Sequence, residues 1–96
     1  MYGHGKDRIV YFVWFDGDRR RGPHLKLADA MDAYRDKFGK SPAICLASDQ
    51  DARDIMANTR RPAITIRAAH FISRNTYYLG ANAELDAMDM LRTRAA

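Results

Sequence analysis

Cysteine, proline and long apolar runs are scarce in this chain of 96 residues, and acidic residues are missing from one whole stretch of it. The single Cys45 cannot close an internal disulfide. The fold must therefore stand on packing, and nothing in the cysteine count speaks for an oxidising compartment. The longest apolar run, Ile9 to Phe15, has seven residues, far short of the roughly 20 that a helix needs to cross a bilayer. Residues Met1 to Asp7 lack the apolar core of a signal peptide, so a cytoplasmic location is the expectation. Between Asp54 and Glu84 there is no carboxylate, while Arg60, Arg61, Arg67 and Arg74 all lie there. The rest of the chain balances, so the net charge of +4 belongs to that stretch. Repeats, low-complexity segments, linkers, a P-loop, a Gly-x-Gly-x-x-Gly and a Gly-x-Ser-x-Gly are all absent.

What is there suits one small α/β domain, residues 1–96, with 1–8 as a loose lead-in. Hydrophobic residues at 47% and charged residues at 29% are the proportions of a chain that folds. The unbroken run Ile9 to Phe15 reads as a strand covered on both faces and is placed at the centre of the sheet. Leu27, Ala30, Met31, Tyr34 and Phe38 recur at helical spacing between Gly22-Pro23 and Gly39, which mark a helix start and stop. Ala43 to Ala47 suits a buried strand. Ser48 and Asp51 have capping-box spacing for a second helix to about Asn58, with Ala52, Ile55 and Met56 inward. After Pro62, alternation from Ala63 to Ile72 predicts a strand with Ile64, Ile66, Ala68, His70 and Ile72 on one face. Tyr77 to Leu79 is expected to return against it as a hairpin, and Asn82 to cap a last helix bearing Leu85, Met88 and Leu91.

The resulting order, β-α-β-α-β-β-α, describes a mixed sheet with a C-terminal hairpin and helix. It resembles the thioredoxin-like fold, with Pro62 where that fold places a proline before its third strand. Where that family carries Cys-x-x-Cys, this chain has Asp18-Arg19-Arg20-Arg21-Gly22, so the resemblance implies a topology without the redox chemistry.

Three function classes follow. The first is a non-catalytic domain that binds nucleic acid or another anionic partner. Its candidate contacts are Arg19, Arg20, Arg21 and Lys26 in one loop, with Arg60, Arg61, Arg67, Arg74, Tyr77 and Tyr78 around the hairpin. Arginine forks grip phosphates and exposed aromatics stack on unpaired bases. The second is a protein-interaction or homodimeric regulatory module, pairing through the edge strand Tyr77 to Leu79. The third is a Mg²⁺-dependent phosphoryl-transfer site on Asp16, Asp18, Asp49 and Asp51. Phe15-Asp16-Gly17-Asp18 resembles the Asp-x-Asp of Toprim and haloacid-dehalogenase-type domains, but the upstream acidic residue of a Toprim site is missing. A turn at Asp16-Gly17 and a helix cap at Asp49 and Asp51 account for the same residues more simply. His4, His24 and His70 are scattered without ligand spacing, and Cys45 has no base beside it. No cofactor, metal or membrane partner is expected, and the balance favours binding over catalysis.

Overall fold

The computed structural model describes residues 11–81. The lead-in with His4 and the expected last helix lie outside the described residues. Four strands and two helices follow one another: β1 (Phe12–Phe15), α1 (Pro23–Phe38), β2 (Ile44–Ala47), α2 (Asp49–Ala57), β3 (Thr65–Ala68) and β4 (Thr76–Gly80). They form a single mixed sheet with strand order β1-β4-β2-β3. β2 and β3 run parallel, and β4 lies antiparallel to both β1 and β2.

Local chemistry sets the helix ends as expected. Pro23 opens α1, where its missing N–H costs no intrahelical bond, and Gly39 closes it at φ 72° while donating its N–H to Arg35 O at 2.8 Å. That left-handed conformation favours glycine. Ser48 caps α2, its Oγ accepting the Asp51 N–H at 3.1 Å.

Both helices cover the same face of the sheet. Leu27, Ala30, Met31 and Tyr34 of α1 and Ala52 and Ile55 of α2 pack on Cys45, Ala47, Ile66, Tyr77 and Leu79. Phe12 meets Tyr34 and Phe38 edge to face. The other face carries a smaller cluster of Ile44, Leu46 and Ile72 with Tyr11 and Tyr78 packed against it. Met56, expected inward, is 56% exposed because it sits on the solvent side of α2.

Two expectations about the sheet are corrected. The apolar run does not form its centre: β1 is an edge strand whose exposure alternates, with Val13 at 51% and Phe15 at 69%. An all-apolar run marks burial only where both faces are covered, and here side-chain polarity does not follow exposure. The central positions fall to β4, where Tyr77 and Leu79 are fully buried, and to β2, buried along its whole length.

The expected hairpin is also absent, since β3 pairs with β2 and β4 lies on the other side of β2. The alternation predicted to Ile72 ends at Ala68. Ala69 donates its N–H to Ala47 O at 2.8 Å, Ile72 to Ala69 O at 3.0 Å, and Asn75 reverses the chain at φ 68°. His70 is therefore exposed in a turn and not part of the core, while Ile72 joins the cluster on the open face. The element order behind the thioredoxin-like resemblance is present through β4, with this different pairing inside it. Pairing through Tyr77 to Leu79 with a second copy is excluded, because β4 has a neighbour on each side.

Candidate anion-binding site

The carboxyl end of β1, the start of β4 and the first turn of α1 meet at one edge of the sheet. Asp16 begins the loop by accepting the Asp18 N–H on Oδ1 at 2.9 Å, a side-chain-closed turn. Asp18 in turn accepts from Arg20, through the backbone N–H at 2.9 Å and Nε at 3.1 Å. Those bonds from Arg20 hold the Asp18 carboxyl below the usual carboxylate range. Arg21 reaches forward to Asp29 on α1 at 2.7 Å.

Asn75 ties the three segments together. Its backbone O accepts the Asp16 N–H at 3.0 Å, its Oδ1 accepts from Lys26 Nζ at 2.9 Å, and its own N–H donates to Asp51 Oδ2 at 2.7 Å. Asp51 is fully buried and takes Arg74 Nε on its other oxygen at 2.8 Å. A capping box would turn this carboxylate back to the start of α2. Here it leaves the helix and anchors the turn before β4.

These contacts enclose a cleft of about 460 Å³ lined by Gly17, Arg19, Arg20, Arg21, Gly22, Pro23, Lys26, Arg74 and Asn75. Five of those residues are basic and none is acidic. Arg20, Arg21 and Arg74 each have a carboxylate partner that is not among these lining residues, at Asp18, Asp29 and Asp51. Among the described residues, Arg19 and Lys26 form no ion pair with a carboxylate. Lys26 is only 4% exposed, and among the described residues its hydrogen-bond partner is a neutral amide. The first turn of α1 contains no acidic residue and its N-cap, Gly22, no capping side chain, so the positive end of the helix dipole adds to the field.

The structure therefore brings together Arg19, Arg20, Arg21, Lys26 and Arg74 from the sequence candidates. Arg60 and Arg61 stay outside the cleft. They follow Asn58, whose Nδ2 lies 3.3 Å from His24 Nδ1 on the first turn of α1. Arg67 is exposed on edge strand β3, in one cross-strand row with Leu46, Tyr78 and Val13 on the open face. Tyr78 is half-buried there. Tyr77 cannot stack on a base, since it is sealed under the helices. Burial, and then the charge of Asp51, raises its phenol pKa.

The four aspartates do not converge either. Asp16 and Asp18 serve the turn, Asp49 is exposed, and Asp51 is enclosed with both oxygens engaged. No group of three or more His, Cys, Asp or Glu among the described residues is placed to hold a metal ion.

Phe15 and Asn75 escaped the sequence reading. Phe15 ends β1 with its exposed ring beside Gly17, a lining residue of the cleft, where a Cβ would come within 3.1 Å of it. The signal for Asn75 was its type, since Asn tolerates the left-handed conformation that a reversal needs.

Cys45 lies in the core under this site, and burial, then the charge of Asp51, pushes its thiol pKa up from 9.0 to about 12. It should resist alkylation at pH 8 in the folded protein and react at once in denaturant, as timed iodoacetamide labelling would show. A raised folded-state pKa contributes stability that is complete below the unfolded value and is lost as pH rises towards the folded one. Denaturant midpoints should therefore fall between pH 9 and about 12, and less steeply in Cys45→Ala.

No helix among the described residues is long and apolar enough to cross a membrane. Compared with models of protein families, with curated proteins and with solved structures, the chain matches none.

Proposed function

We propose that this domain acts by binding, and that its ligand is nucleic acid held through the arginine-lined cleft. The observation that carries this reading is a concavity lined, among the described residues, by five cations and no carboxylate, two of those cations without an ion-pair partner there. Burying positive charge without a counterion is costly, and a polyanion supplies the missing charge. Guanidinium forks grip phosphate oxygens two at a time. Exposed Phe15, beside Gly17 of the cleft, offers a face on which an unpaired base can stack, which favours a single strand over a duplex. Arg60 and Arg61, near the first turn of α1, can meet neighbouring phosphates.

The test is an anisotropy titration with single-stranded DNA and RNA at two salt concentrations. Three neutralised phosphates, at a slope of about 0.7 each for single strands, weaken binding roughly twentyfold between about 50 and 200 mM salt. Replacing Arg19, Arg20 and Arg21 together with alanine should cost about a hundredfold in affinity and flatten that dependence. The melting temperature should stay within a few degrees, because the ion pairs lost are surface pairs. Arg67→Ala should leave affinity unchanged. Unaltered binding in the triple variant would remove the cleft from the function and turn attention to the apolar outer side of β1, with Val13 and Phe15, as a protein interface.

A further inference from the structure

The cleft gathers five cations among its nine lining residues. Two of the lining residues, Lys26 and Asn75, are joined Nζ to Oδ1 at 2.9 Å, and Asn75 is held in turn by Asp51 and Asp16. Gly17, Gly22 and Pro23 line the cleft with little side-chain bulk. Arg19 and Lys26 are the lining cations that form no ion pair among the described residues, since Arg20, Arg21 and Arg74 have carboxylates. An internal phosphodiester brings only one negative charge and has a sugar on either side. A phosphomonoester carries about −1.5 to −2 at pH 7 with three acceptor oxygens, and it can enter end-on. Its charge matches Arg19 plus Lys26, its oxygens suit an ammonium and guanidiniums arriving from different directions, and the helix dipole adds to the attraction.

We infer that the cleft takes the terminal phosphate of a single strand, with the end nucleotide's base against Phe15. This rests on the strand-binding reading above and narrows it from a backbone contact to an end-recognition site. Arg60 and Arg61 would then meet phosphates further along the strand, outside the cleft.

The experiment compares short oligothymidines by anisotropy. One pair, labelled at the 3′ end, carries either a 5′-phosphate or a 5′-hydroxyl; a second pair, labelled at the 5′ end, carries either a 3′-phosphate or a 3′-hydroxyl. A terminal phosphate at one end should tighten binding about tenfold or more, and the gain should vanish in Arg19→Ala and in Lys26→Met. Lys26 is buried, so the fold of its variant is checked by circular dichroism; Arg19 is exposed and carries the test alone if Lys26→Met unfolds. Equal affinity for phosphate and hydroxyl ends, with the triple arginine variant still weakened, would overturn end recognition and leave strand binding standing. A phosphate preference that survives both substitutions would also overturn it, since the phosphate would then sit elsewhere. Absence of binding to every oligonucleotide at low salt would overturn both readings.

Discussion

Leu79→Ala should destabilise the domain by about 3 kcal/mol, while Val13→Ala should cost under about 1 kcal/mol. Leu79 is fully buried on the central strand β4, facing Phe12 on one side and Cys45 on the other. Shortening it leaves a cavity under both helices that the two flanking strands cannot close. Val13 is half-exposed on edge strand β1, and its truncation removes little buried surface. For a domain of this size a loss of 3 kcal/mol lowers the melting temperature by roughly 15 °C, so calorimetry of the two variants separates them. If Val13→Ala proved the costlier, β1 would have to be the inner strand and the order β1-β4-β2-β3 would be wrong.

Asp51→Ala should destabilise by about 2 kcal/mol and also weaken the ligand site. Its carboxylate is the acceptor for both the Asn75 N–H and Arg74 Nε, from a fully buried position. Without it the Asn75 N–H loses its partner, at a cost of about 1–3 kcal/mol. Arg74 is half-exposed and can turn to water. The loosened turn would no longer hold Asn75 Oδ1 against Lys26, so affinity for an oligonucleotide should fall with stability. Asp51→Asn keeps one oxygen acceptor and should lie between Ala and wild type. Asp18→Ala is the contrast: its pair with Arg20 lies at the surface, and stability should barely move. A melting temperature of Asp51→Ala within a degree or two of wild type would show that the turn before β4 holds without this carboxylate.

Helix ends, by contrast, were legible in the chain because they are local. Gly22-Pro23, Gly39 and Ser48 act on backbone groups within one turn of themselves, so α1 and α2 stand almost where spacing puts them. The inward set Leu27, Ala30, Met31 and Tyr34 was readable for the same reason: helical periodicity is a property of consecutive residues.

Strand order was not readable. An apolar run such as Ile9 to Phe15 says that a strand is there and does not say how many neighbours it has. β1 became an edge because Asn75 turns the chain and sets β4 between β1 and β2.

The arginine loop illustrates the same division. Composition alone determined that the chain is basic, that Arg19 to Arg21 follow the first strand, and that the long stretch after Asp54 has no carboxylate to offset its arginines. Only the tertiary structure decided which cations act together. Arg74 joins the loop, from more than fifty residues away, and Arg67 does not. The physical reason is that a charge is a property of one residue, whereas a binding site requires convergence. Here convergence depends on a buried aspartate, a left-handed asparagine and a lysine brought within hydrogen-bonding distance of it by the packing of α1 against the sheet.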